Sequence, residues 1–241
     1  IMRLDKLLAH CGFGTRKEVK QLIKNGYVKV NGEVIKKDKH HVDPVGDKVY
    51  VDDERIHYQE YVYYMLNKPA GYVSATEDNV YPTVIDLIEE NYRQDLFPVG
   101  RLDVDTEGLL LITNDGVLAH QLLSPKKHCP KVYYAKIQGV VTDDDVQTFL
   151  SGVVIDNEYQ CQSAHLKILS TTQNHSEIEV EIYEGKFHQV KKMFHAVGKE
   201  VLYLKRIRMK NLNLDENLEL GAYRPLTDEE LDRLKSEIVL Q

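Results

Sequence analysis

The stretch from Val99 to Gly116 constrains this chain more than any other. It contains the run Gly108-Leu109-Leu110-Leu111-Ile112, which has to be buried. Just ahead of that run stand Arg101 and Asp103, two residues apart and beside Gly100. A carboxylate at the edge of a core, with a guanidinium nearby, is a candidate nucleophile or base held ionised by its neighbour. The same arrangement also serves as a structural ion pair at a strand end.

At 241 residues the chain has room for two domains or one large one. No apolar run reaches membrane-spanning length and no secretory pattern is present, so a cytoplasmic location is expected. Ile1 reads as an added residue ahead of a native start at Met2. Cys11, Cys129 and Cys161 are odd in number and far apart, which fits a reducing compartment and argues against disulfides or zinc. His40-His41 and His188…His195 lack converging partners, so no metal is expected. The net charge of -7 argues weakly against a nucleic-acid partner, but its distribution argues for one. Residues 1–40 carry ten Lys or Arg against four Asp or Glu, and residues 186–210 carry eight against one. Affinity for a polyanion follows such local patches, because each phosphate contact is local and releases counterions.

From Met2 to His10, Leu4, Leu7 and Leu8 recur at helical spacing. Gly12 and Gly14 end that helix, and Thr15 with Glu18 forms a capping-box pattern for a second helix from Arg16 to Asn25. Val19, Leu22 and Ile23 face inward, and Arg16, Lys17, Lys20 and Lys24 face outward. Val28 to Val30 alternates as a strand, Asn31-Gly32 is a hairpin signal, and Val34-Ile35 and Lys48 to Val51 are further strands. Asp52 to Glu60 is polar and aperiodic and reads as a linker.

Tyr61 to Asn67 is an aromatic, β-branched run and reads as a strand entering the turn Lys68-Pro69-Ala70-Gly71. Thr83 to Ile88 behind Pro82 reads as a helix, as does Val117 to Leu123. Lys131 to Ile137 is a strand, and Ile178 to Tyr183 alternates as a half-exposed one. Val190, Met193, Phe194 and Val197 form the inner face of a helix from His188 to Phe194. Val201 to Met209 is a strand with late cations, and Thr227 to Glu230 opens a final helix with a capping box.

Gly100-Arg101-Leu102-Asp103, Thr106 to Leu111 and Thr113 to Gly116 together resemble the signature of the RsuA family of pseudouridine synthases. Lys68-Pro69-x-Gly71, Lys131-x-Tyr133, His188-Gln189-Val190-Lys191 and Leu204-x-Arg206 resemble its other motifs. Residues 2–58 resemble an S4-type RNA-binding domain, carried by Arg3-Leu4-Asp5-Lys6, Thr15 to Glu18, Leu22-Ile23 and Gly26 to Gly32. The implied architecture is α+β: a small S4-like domain, then a catalytic domain over residues 60–232 with a mixed, mainly antiparallel sheet.

The resemblance implies a cofactor-free enzyme that isomerises uridine to pseudouridine in ribosomal RNA, most consistently small-subunit 16S rRNA of the uridine-516 type. Its partners would be rRNA or a ribosome-assembly intermediate, with no membrane, and the chain is expected to be a monomer. Asp103 is the implied catalytic carboxylate, attacking uracil C6 or ribose C1′, or removing the C2′ proton. Lys191 pairs with it, joined in one reading by Arg101, which could instead hold RNA backbone or the flipped base's place. Tyr133, with Tyr134 as the alternative ring, lies against the flipped uracil and replaces lost stacking. Lys68 is a loop cation near the cleft, Leu204 packs under the uracil, Arg206 approaches phosphate, and Gln189 completes the substrate contacts. Arg3, Lys6, Arg16, Lys17 and Lys20 face RNA phosphates. Three rivals share these features: a large-subunit rRNA synthase, a non-catalytic assembly factor, and a nucleoside hydrolase using Asp105 as second carboxylate.

Overall fold

The computed structural model describes residues 1–89 and 95–236. The described residues of Ile1–Val62 and Ile88–Leu96 form one compact unit, and those of Tyr63–Leu87 and from Phe97 onward form another.

In the first unit β1 (Met2–Arg3) leads directly into α1 (Leu4–His10), and α2 (Arg16–Lys24) follows. Thr15 caps α2: its hydroxyl oxygen accepts the Glu18 N–H at 3.2 Å and its proton goes to the Glu18 carboxylate at 3.0 Å. That satisfies one of the backbone donors a helix start leaves open. Then come β2 (Val28–Val30), β3 (Glu33–Val34), β4 (His41–Val42), β5 (Val49–Val51) and β6 (Glu54–Arg55). The β2–β3 turn places Asn31 and Gly32 at φ 52° and 87°, the two left-handed residues that a twisted hairpin requires. β5 and β6 pair across Asp52-Asp53, so the polar stretch read as linker begins with a hairpin. Leu4, Leu7, Leu8, Val19 and Ile23 pack on Val28, Val30, Val49 and Val51, one face of each helix against one face of the sheet.

The second unit runs β7 (Tyr63–Lys68), β8 (Phe97–Val99), β9 (Glu107–Thr113), α3 (Gly116–Leu123), β10 (Lys131–Gln138), α4 (Asp143–Ser151), β11 (Val154–Ile155) and β12 (Tyr159–Gln160). It continues β13 (His165–Thr171), β14 (His175–Ile182), α5 (Gln189–Ala196), β15 (Glu200–Met209), β16 (Leu212–Asn213), β17 (Tyr223–Pro225) and α6 (Asp228–Lys235). The main sheet is ordered β13-β14-β10-β15-β9-β7-β17, with β16 beside β15 and β8 beside β9. β15 and β9 run parallel, and the other neighbours in it are antiparallel. Leu109 to Ile112 lie fully buried in β9. Full burial of such side chains stabilises by about 1.5–3 kcal/mol each, which favours an interior place in the sheet, between β15 and β7, for this strand.

Gly108 makes the parallel junction. It sits at φ 111°, and a Cβ there would lie 2.2 Å from the Arg206 carbonyl oxygen. Only glycine lets the two backbones meet as they do. The Thr83–Ile88 segment forms no α-helix. It contains a 3₁₀ turn over Val84–Leu87, because Thr83 bridges to Val73 while Asp86 accepts the Thr83 N–H at 2.9 Å. Sequence reading passed over α4, although Thr142 and Asp145 form a full capping box at its start. Among the described residues no helix is long and apolar enough to cross a membrane.

Candidate active site

The loop between β8 and β9 is fixed from beneath. Lys68 ends β7 with its side chain fully buried, and its Nζ donates to the carbonyls of Pro69 at 3.0 Å, Asp103 at 3.1 Å, Val104 at 3.2 Å and Thr106 at 2.8 Å. Ser74 accepts the Leu102 N–H at 3.0 Å and donates to its carbonyl at 3.1 Å. Gly71 N–H meets the Val104 carbonyl at 2.8 Å, and Thr106 N–H closes a turn on Asp103 at 3.0 Å. Lys68 is therefore no loop cation turned toward substrate: its ammonium is consumed by the backbone that presents Asp103. Burial pushes its pKa down to about 8, against the opposing pull of Asp105, Glu107 and Asp103.

Asp103 rises from that loop into an ion cluster. Lys191 Nζ donates to Asp103 Oδ2 at 3.0 Å and to Asp105 Oδ1 at 2.7 Å, and His188 Nε2 lies 3.5 Å from Asp103 Oδ1. His188 adopts the left-handed conformation at φ 52°, ψ 34° immediately before α5. A non-glycine residue accepts that at a cost of about 1–2 kcal/mol. The turn it makes brings His188 and Lys191 to one carboxylate. Burial disfavours the Lys191 ammonium, but its bonds to Asp105 and Asp103 outweigh that and hold its pKa above the ordinary lysine value. The bond from Lys191 holds Asp105 below the usual carboxylate range, against the effect of burial. Arg101 is not among the ion-pair partners of Asp103 and stands exposed at the cavity rim. His188 carried no signal of this role beyond its place in the motif, and Ser74 carried none.

A cavity of about 430 Å³ opens beside Asp103 and Lys191, with Tyr133, Leu204 and Arg206 in its wall. The pairing of β10 with β15 sets Tyr133 opposite Arg206 and Ala135 opposite Leu204. Tyr134 points to the other face, where its hydroxyl donates to Glu177 at 2.7 Å, so Tyr133 is the ring at the cavity. Arg206 is only 2% exposed, and its Nε donates to the Leu109 carbonyl at 2.9 Å. It is a floor residue rather than a surface contact for the RNA backbone, because the parallel β15–β9 junction draws its side chain over β9. Gln189 is buried too: its Nε2 donates to Glu184 at 3.0 Å and its Oε1 accepts the Lys186 N–H at 2.9 Å. It shapes the 184–188 turn from its place in the cavity wall.

In the first unit, Asp5 is fully buried and organises two of the expected RNA-facing cations. Arg3 donates to it through Nε at 3.1 Å and Nη2 at 2.7 Å, and Arg16 Nη2 lies 3.5 Å away. Burial opposes the Asp5 charge, yet Arg3 and Arg16 hold its pKa below the ordinary value. Lys20 pairs loosely with Asp38 at 3.9 Å, and Lys6 and Lys17 are exposed.

A family model described as RNA pseudouridylate synthase matches residues 62–196, and one described as S4 domain matches residues 2–49. The chain is 49% identical over 97% of its length, and 98% of the relative's, to a Bacillus subtilis (strain 168) protein named uncharacterized RNA pseudouridine synthase YtzG. It is 42% identical, over 96% of its length and 98% of the relative's, to ribosomal small subunit pseudouridine synthase A of Vibrio parahaemolyticus. The protein of that name from Escherichia coli (strain K12) is 38% identical over 95% of this chain and 98% of its own. A crystal structure of a pseudouridylate synthase superposes with a TM-score of 0.68 at 36% identity, covering 97% of this chain and 100% of the other.

Proposed function

The chain belongs to the RNA pseudouridylate synthase family and is an isomerase acting on uridine in RNA; from that premise we propose that its substrate is small-subunit ribosomal RNA. The observation that carries this reading is the Asp103 carboxylate, held by Lys191 and His188 at a cavity wide enough for a flipped base. Full-length similarity to proteins named for the small ribosomal subunit supports the substrate, as does the His188-Gln189-Val190-Lys191 form of the motif. A uridine of the uridine-516 type is the proposed target.

Three steps follow from the chemistry. The uridine leaves its stack, at a cost of a few kcal/mol that stacking on Tyr133 and packing on Leu204 offset in part. Asp103, held by Lys191 at 3.0 Å with His188 beside it, acts on the ring or the sugar, and the glycosidic bond breaks. The ring turns so that C5 meets C1′, and the C5 proton leaves. The S4 unit contributes RNA affinity through Arg3, Lys6, Arg16, Lys17 and Lys20. The reaction takes place in the cytoplasm, on free rRNA or an assembly intermediate.

The test uses small-subunit rRNA carrying tritium at uridine C5, since bond formation there must release the label. Release by the wild type, and RNA binding without release by Asp103→Asn, is the expected result. We expect the rate to fall by roughly 10⁴-fold or more, as when a nucleophile is removed. Release by both proteins moves the chemistry off Asp103, with Asp105 next. Release from large-subunit rRNA alone overturns the substrate, and sequencing the product tests the target uridine.

A further inference from the structure

Two cations in the cavity wall have no counter-ion among the described residues. Arg206 is 2% exposed, and its Nη2 is buried without a hydrogen-bond partner. Lys131 is half-buried on the neighbouring strand β10, with its Nζ beside the Cα of Gly185, where a Cβ would approach it to 3.3 Å. The carboxylate that Lys131 feels is Glu184, which is already occupied. Its Oε1 accepts from Gln189, and its Oε2 accepts from Tyr159 at 3.1 Å and from the Gln162 N–H at 3.2 Å. Burial and the adjacent Arg206 push the Lys131 pKa below the ordinary lysine value.

A cation without a counter-ion is costly to bury, so a fold that keeps buried Arg206 and half-buried Lys131 at one cavity has a use for them. We infer that Lys131 and Arg206 form an electrostatic subsite for the uracil ring, stabilising the negative charge that develops on its oxygens as the glycosidic bond breaks. In each route open to Asp103 this charge must appear. When N1–C1′ breaks, its electron pair stays on the base and spreads from N1 to O2 and O4, while C1′ bonds to the Asp103 carboxylate or, where Asp103 instead takes the C2′ proton, the C2′–H pair forms a C1′=C2′ double bond. When the carboxylate first adds to C6, the displaced pair moves to C5 and O4. The charge is discharged when C5 bonds to C1′, the C5 proton leaves and N1 regains a proton. Fixed cations at such a position act only where charge grows, so they favour the transition state over the bound substrate.

A phosphate is the other anion that RNA could offer here. The depth of Arg206 argues against it: a flipped nucleotide keeps its backbone continuous with the strand at the cavity mouth, and only the base reaches the floor.

The inference rests on the proposed pseudouridylation and is tested by Lys131→Met, with Lys131→Arg as the conservative partner. Arg206 also holds the Leu109 carbonyl, so its loss would disturb the sheet and Lys131 is the cleaner probe. Tritium release is measured under saturating RNA, with KM, thermal melting and the salt dependence of RNA binding recorded for each protein. For Lys131→Met we expect kcat to fall about 10²–10³-fold, the scale of losing one such donor, with melting, KM and salt slope unchanged. Lys131→Arg should recover most of the rate. An unchanged kcat with weakened binding and a salt slope smaller by about 1 would mean a phosphate contact and overturn the inference while the enzyme stands. Normal kcat with normal binding would overturn it equally. Absence of release by the wild type from all rRNAs would remove the activity itself, and the subsite with it.

Discussion

The chain's two basic segments are alike in charge and opposite in construction. In the first unit, Lys6, Lys17 and Lys20 stand on exposed surface, and Arg3 and Arg16 lean on a buried Asp5. In the second unit, Lys191 is held between two carboxylates, and Arg206 is buried at a cavity floor. Lys68, from a different stretch, is buried under the loop that carries Asp103. Exposed cations act by number: each phosphate contact adds a small, salt-screened increment. Buried ones act by position, because in a poorly solvated site one fixed charge sets the state of its neighbour.

If that contrast is right, the sharpest break comes from Lys191→Met. It leaves Asp103 and Asp105 without their shared cation, and we expect kcat to fall by about 10²–10³-fold with RNA affinity within a factor of two of wild type. A variant that loses affinity and keeps kcat would put Lys191 with the surface cations.

Lys68→Met comes next. Several carbonyls lose their donor at once, each unsatisfied group costing about 1–3 kcal/mol, so we expect a loss of about 2–4 kcal/mol in a denaturant titration. Its pH dependence sharpens the point. The folded Lys68 titrates near 8 and the unfolded lysine near 10.5. Between those values the unfolded chain holds more protons, so raising the pH across that window favours the folded state. The contribution is fully present above the unfolded pKa and is lost as pH falls through the folded one. The stability of wild type relative to Lys68→Met should therefore rise from pH 8 to 10.5, and a flat difference would mean that Lys68 is not buried as a cation.

The smallest effect belongs to the first unit. Lys17→Ala and Lys20→Ala should each weaken RNA binding by less than tenfold and lower the salt slope by about 1, leaving kcat under saturating RNA unchanged. A change in kcat would mean that these lysines do more than hold the polyanion.

Much of the fold could be read from local pattern. The Leu4, Leu7, Leu8 spacing, the Thr15 cap, the Asn31-Gly32 hairpin and the Ile178 to Tyr183 alternation depend on neighbours a few residues away, and the chain adopts them. Thr83 to Ile88 has helix-like composition but is held to a 3₁₀ turn by its bridge to Val73, a partner that no local window contains. Lys68 and Arg206 illustrate the same limit. As residue types they read as solvent-facing cations, and what buries them is a distant loop carbonyl set and a parallel strand junction made possible by Gly108. Asp103 and Lys191 lie 88 residues apart, and only the folded sheet brings them to 3.0 Å. By itself the sequence marked Asp103, Tyr133 and Lys191 as candidates and determined where helices such as α2 and turns such as Asn31-Gly32 begin, since those depend on residue type and short-range spacing. Which cations reach the surface and which are locked beneath the site was decided by tertiary structure, because burial and hydrogen-bond supply come from residues far away along the chain.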